Sequence, residues 1–240
     1  MVIAFYRGVV DMDYRWRWGR LWRYILREED GGWVPGPLLY GAMTTIKISL
    51  LAAALAVVFG LLTTAARVSP QRSFRGLASG YANIMRCTPL LVQLYLWYFI
   101  VGSAFGWEQF TIGVFALALF EGAFAAEIFR AGIINVPQAQ IDAAQALGLS
   151  RARRWRLIII PQALPLVLPP LANLFVSLIK HSSIVTVIAI ADLTDAARNL
   201  VSETFLTFEI WLIVGALYVA VCLPLALILG RWETRVQKNK

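Results

Sequence analysis

Six side chains carry charge or hydrogen-bonding groups inside long apolar runs of this sequence: Glu121, Glu127, Lys180, His181, Ser182 and Ser183. An ionisable group at membrane depth is costly, and it persists where it pairs, lines a water-filled cavity or meets a solute. The chemistry open to such a set is recognition of charge rather than the making of bonds. His181 is the single histidine, which leaves no room for a histidine-based metal cluster. The chain has no H-E-x-x-H, no G-x-S-x-G and no phosphate-cradling G-x-x-x-x-G-K-[ST]. Glu127 lies one turn before Arg130 and is expected to pair with it at i,i+3. Glu121 has no local partner; a place on a solute path stays open beside pairing with Lys47, His181 or another subunit. The polar stretch from Lys180 to Val185 interrupts an apolar run, which backbone tolerates where it lines a cavity. A satisfied packing histidine is the competing reading of His181.

The elements that must position these residues are membrane spans. Hydrophobic residues make up 59% of the 240-residue chain and charged residues 15%, with a mean hydropathy of +0.67. A soluble domain carries about 25% charge, so the composition belongs to a polytopic all-α membrane protein. The net charge of +8 does not indicate nucleic acid, because the basic residues sit beside apolar spans. Five spans are expected: about Leu38 to Ala66, Gly80 to Gly102, Phe110 to Arg130, Gln162 to Ala191 and Phe208 to Gly230. Arg86 interrupts the second and Lys180 the fourth, and Pro165, Pro169 and Pro170 should kink the fourth. Cys87 and Cys222, far apart and near apolar runs, read as small buried hydrophobes.

Three basic segments fall on one side of five spans: Arg67, Arg72 and Arg75; Arg151, Arg153, Arg154 and Arg156; and Arg231, Arg235, Lys238 and Lys240. The positive-inside rule places these in the cytoplasm, with the C-terminus, and the N-terminus outside. The N-terminal tail carries six arginines of its own, against that rule. Its Trp18, Leu21, Trp22 and Ile25 fall at helical spacing, so residues 1–37 read as a tail with an interfacial helix whose arginines snorkel. Residues 38–240 then form a single transmembrane domain. The tail lacks the apolar core and cleavage site of a signal peptide and reads as mature protein. No internal repeat is visible.

Between the third and fourth spans runs DAAQALGLSRARRWRLIIIP, Asp142 to Pro161. Gln138 to Leu147 reads as a short helix, Gly148 as its C-terminus, and Ser150 as the cap of a second helix starting at Arg151. By charge alone the segment suits anionic lipid as well as protein. The spacing is more selective: Asp142-Ala143-Ala144, Gly148, Ile158 and Ile160-Pro161 resemble the EAA loop in permease subunits of ABC importers. Asp142 stands where that family usually has Glu, and Ile160 where it has Leu. GAMTTIKISL, MRCTPLLVQLYLWYF, AAEIFRAGI, PQALPLVLPPLANLFVSLIKHSSIV and ADLTDAAR extend the resemblance over about Gly41 to Lys240, to the polar amino-acid branch of histidine/glutamine-type permeases. Cys87 replaces the usual glycine.

The resemblance implies a non-catalytic permease subunit in a bacterial inner membrane. It implies an ABC ATPase dimer that holds ATP and Mg, a second copy or sister permease, an extracytoplasmic amino-acid-binding protein and an amino-acid substrate; this chain holds no cofactor or metal of its own. The loop, about 136–161, would be the cytoplasmic coupling helix. Asp142, Ala143, Ala144, Gly148, Leu149, Arg151 and Pro161 would be its docking residues, with Ala143 and Ala144 as a close-packing face. The family also places the Lys180 stretch beside the substrate path. There His181, Ser182 and Ser183 would meet a carboxylate or polar tail and Glu121 an α-ammonium, with Lys180 alongside.

Overall fold

A computed structural model describes residue 14 and residues 16–29 and 31–238. Among the described residues four helices are long and apolar enough to cross a bilayer, or five if a helix pair bent by 111° is counted as one broken span. They are α1 (Pro37–Arg67), the pair α2 (Arg72–Cys87) and α3 (Leu90–Phe105), α4 (Gln109–Ile134), α6 (Arg151–Ile188) and α8 (Thr207–Lys238). Between α4 and α6 lies the short helix α5 (Gln138–Ala146); between α6 and α8 lies α7 (Leu193–Thr204).

The pair α1 and α4 makes the most extensive helix contact. Small residues let the two backbones approach: a side chain at Gly60 would strike Ala125, and one at Gly122 would strike Phe59. Ala52, Ala56, Ala116, Ala118, Ala123, Ala125 and Ala126 are fully buried beside them. Thr64 donates across the seam to the Ala126 carbonyl at 3.0 Å. α8 is different: only 6% of its apolar window is buried in this chain.

The second span is not one helix. α2 and α3 meet at 111° across Thr88 and Pro89. Pro89 cannot donate an amide proton and drives Thr88 to extended backbone (φ −110°, ψ 139°). The buried Gln93 amide sutures the break, reaching the Met85 carbonyl (2.8 Å), the Thr88 carbonyl (3.1 Å) and Thr88 Oγ1 (2.6 Å). α2 turns Phe74, Leu77 and Ile84 outward, and Cys87 at its end is exposed rather than buried; Cys222 is half-buried.

The fourth span begins at Arg151, not at Gln162: the loop's second helix runs on without a stop through Pro161. Pro165, Pro169 and Pro170 lie inside it without ending it. The irregularity falls at a wide π turn, Trp155–Ile159, just ahead of Pro161, where a missing amide donor would otherwise leave a carbonyl unpaired.

The tail also departs from expectation. In place of an interfacial helix there is a 3-10 turn (Trp18–Arg20), one α-turn (Trp22–Ile25) and an antiparallel hairpin, β1 (Leu26–Glu29) with β2 (Gly32–Pro35), in register Leu26 to Pro35. Asp30-Gly31-Gly32 supplies the turn signal in the sequence, and Gly31 has φ +76°. Leu21 and Tyr24 point into a core with Leu38, Ala42, Leu193, Leu200, Leu206 and Ile210, while Trp18 and Trp22 stay outside. Arg7 and Arg15, two of the six tail arginines, and Lys240 lie outside the described residues.

Candidate functional site

Glu121 comes from the middle of α4 and His181 from the C-terminal end of the regular part of α6. They meet: Glu121 Oε1 lies 2.6 Å from His181 Nδ1. Glu121 is 2% exposed, whereas half of the His181 side chain is open. The pair answers the question of a partner for Glu121, since Lys47 instead sits 5.1 Å over the Phe110 ring. A buried carboxylate next to an accessible imidazole can accept a cation, or release the imidazole to an anion.

His181 separates two clefts of about 410 Å³ each. One is lined by Glu121, Glu127, Asn173, Ser177 and His181; the other by Lys180, His181, Ser183, Thr186 and Leu90. The regular helix ends at His181 and gives way to a 3-10 segment, Ser182–Ile188, closed by Ala189 at φ 58°. This is the backbone irregularity that the polar stretch foretold. Ser182, however, cannot reach a solute: it is fully buried and donates to the Ile179 carbonyl at 2.8 Å. Ser183 is half-buried on a cleft wall, bonded back to Lys180, and Lys180 is exposed.

One turn and a half along α4, Glu127 gathers three arginines. Arg130 approaches at 2.8 Å as the i,i+3 spacing predicts, but Arg67 of α1 lies closer at 2.6 Å, and Arg86 of α2 at 3.4 Å. Arg86, the charge that interrupts the second span, finds its acidic partner here. Sequence spacing reveals the local pair only, because Arg67 is 60 residues away.

The excursion between the third and fourth spans keeps its expected shape. α5 ends in a left-handed Gly148 (φ +78°), whose N–H donates to Gln145. Leu149 N–H returns to the Ala144 carbonyl at 3.1 Å, which closes the turn. Ser150 occupies the N-cap position before Arg151, though its side chain makes no capping bond. Asp142 is exposed and receives Gln138 at 2.9 Å; Ala143, Arg151 and Pro161 are exposed. Ala144 is not available to a partner, being 4% exposed within this chain. Arg154 bonds Gln145 across the turn. The residue that sequence reading missed is Leu147, a large apolar side chain 82% exposed at the tip. Its signal was present: it directly precedes the glycine that turns the chain.

A third polar site sits at the opposite ends of the spans. Asp192 caps α7, accepting the Asp195 amide at 2.9 Å, and is fully buried. Burial pushes its carboxyl up to about 6, against the backbone amides that favour the charge.

Residues 35–238 match the family model described as "Binding-protein-dependent transport system inner membrane component". The chain is 35% identical over 209 residues to the glutamine transport system permease protein GlnP of Escherichia coli (strain K12), covering 85% of this chain and 95% of that one. It is 32% identical over 200 residues to the probable glutamine ABC transporter permease protein GlnM of Bacillus subtilis (strain 168), covering 83% and 93%. Among solved structures it is similar to the crystal structure of an amino acid ABC transporter with histidines. That match has a TM-score of 0.77 at 39% identity and covers 83% of this chain and 94% of that one.

Proposed function

The chain belongs to the family of binding-protein-dependent transport system inner membrane components, and from that premise we propose that it is the permease subunit of an ATP-driven importer of polar amino acids. Its spans would form the translocation path, together with a second copy or a sister permease. An extracytoplasmic binding protein would deliver the solute. A separate ATPase dimer would bind ATP and Mg and clasp the α5–Gly148 turn.

The observation that carries this reading is the excursion itself. Leu147 and Gly148 project from the spans with nothing of this chain around them: a side chain at Gly148 would find no atom within 4 Å. An apolar knob on a tight turn, rimmed by Arg151 and Arg153, is a shape for insertion into another protein. The basic segments at that end favour the cytoplasm for it, with the N-terminus outside and the C-terminus inside. The Glu121–His181 pair, with Lys180 and Ser183 on the flanking cleft, is the place where a zwitterion would touch the path.

The test is ATPase activity in proteoliposomes containing the permease and its ATPase, across a panel of binding proteins loaded with different amino acids. Stimulation by one polar amino-acid-loaded protein is expected. Equal basal activity with every member of the panel refutes the proposal.

A further inference from the structure

The family match begins at residue 35, yet the described residues before it are fastened to the spans. The fastening is specific. Glu209, in the first turn of α8, is fully buried. Both of its carboxylate oxygens are satisfied by the tail: Tyr14 donates its hydroxyl to Oε2, and the Arg17 amide donates to Oε1 at 2.9 Å. Leu21 and Tyr24 complete the dock by burying against Leu38 of α1, Leu193 and Leu200 of α7, and Ile210 of α8.

What the dock leaves outside is aromatic. Trp16, Trp18, Trp22 and Trp33 are 42%, 51%, 60% and 66% exposed. Tyr14 and Trp16 lie against Phe208, at the start of α8, with ring centroids 4.9 and 6.2 Å away, and Trp18 stacks on Trp16 at 5.4 Å. Trp33 sits three residues before Gly36, which caps α1. These rings therefore stand level with the first turns of two apolar spans. Trp107 and Trp211, at the corresponding ends of α4 and α8, are 38% and 42% exposed. Indoles collect at that level because the ring prefers the acyl boundary and its N–H prefers headgroups and water.

We propose that the segment from Tyr14 to Pro35 is a bilayer-seated strap: latched through Glu209, it rests its four tryptophans in the headgroup layer around the starts of α1 and α8. The occupant of this surface is phospholipid, because the exposed rings continue the belt made by Trp107 and Trp211. The charged groups of the segment fit as well. Arg17 is exposed beside the stacked Trp16 and Trp18, and Arg27 is paired with Glu29 on the hairpin, both groups that tolerate a hydrated layer and not hydrocarbon.

Tryptophan quenching by brominated phospholipid tests the proposal on the full chain in vesicles. The variant carries Trp16→Phe, Trp18→Phe, Trp22→Phe and Trp33→Phe, which removes four of nine tryptophans and leaves the buried core intact. With bromine next to the headgroup, the wild type should be quenched to a clearly greater fraction than the variant; with bromine near the chain end, the two should differ little. Equal headgroup-level quenching overturns the proposal, and so does preferential quenching of the tail from the chain end. A second variant, Tyr14→Phe with Glu209→Gln, keeps every tryptophan and disables the latch. Its headgroup-level quenching should fall toward that of the four-tryptophan variant. Wild-type quenching in the latch variant overturns the role of Glu209.

Discussion

Two carboxylates show how differently burial is resolved in this protein. Glu121 is buried against an imidazole, and removing one partner of such a pair leaves the other without compensation. His181→Ala and Glu121→Gln are each expected to lower uptake with the cognate binding protein about tenfold or to change its substrate preference, since one lost charged contact is worth on the order of 1.4 kcal/mol or more. Unchanged rate and preference in both variants would remove the pair from the path. Asp192 is held by the Asp195 and Thr194 backbone amides and the Thr194 hydroxyl, with no cationic partner among the causes of its shift. With its folded value near 6 and its unfolded value at 3.8, the folded state binds the proton more tightly. Its contribution is thus fully present below about 3.8 and is lost as the pH rises through about 6. Thermal stability in detergent should therefore contain a component that falls as the pH rises from about 3.8 to about 6 and levels off above it. Asp192→Asn, which keeps an acceptor for the Asp195 amide, should flatten that component; an identical pH profile in the variant refutes the assignment. The i,i+3 pair of Glu127 and Arg130 was legible from spacing. Arg67, Arg86 and His181 as partners were not, because they arrive by tertiary packing from other helices.

At the scale of elements, apolar length and turn chemistry were readable, and hydrogen-bond geometry at prolines was not. The first, third and fifth spans lie within a few residues of their hydropathic limits, since a bilayer sets the length of an apolar helix. The expected second span lies within the bent pair, and it is Pro89, not Arg86, that divides it. The tail misled because tryptophan spacing outweighed the Gly31-Gly32 turn signal. Two glycines give opposite expectations. At Gly148 the constraint is φ +78°, with free space around it. Gly148→Ala should therefore cost only about 1 kcal/mol of local stability, whereas Gly148→Trp should abolish ATPase-coupled uptake while leaving the spans folded. Normal uptake by Gly148→Trp would sink the docking role. At Gly41 the constraint is space: a Cβ would lie 2.7 Å from the Asp192 carbonyl oxygen and 2.8 Å from Leu193 Cα. Gly41→Ala should push α1 off the start of α7 and lower the thermal midpoint by several degrees. A midpoint equal to wild type would show that the backbone yields freely there.

For the whole molecule, composition was sufficient to identify a membrane bundle, and the family resemblance covered all the spans. Neither foretold that a single helix joins the projecting turn to the polar pair. α6 runs from Arg151 through His181 to Ile188, 38 residues without a break. Up to His181, where the regular helix ends, 1.5 Å per residue gives about 46 Å, against a hydrocarbon core of about 30 Å. The helix is thus longer than the hydrocarbon core, with Gly148 three residues ahead of its first residue and His181 about 45 Å along it. In the importer proposed above this helix would act as a lever, carrying a tilt imposed at the docking turn to His181. Its π turn at Trp155–Ile159 and its four prolines give it compliance between the two ends. In that importer, the stroke reaching His181 would be set by how far those joints bend before the rest of the rod moves.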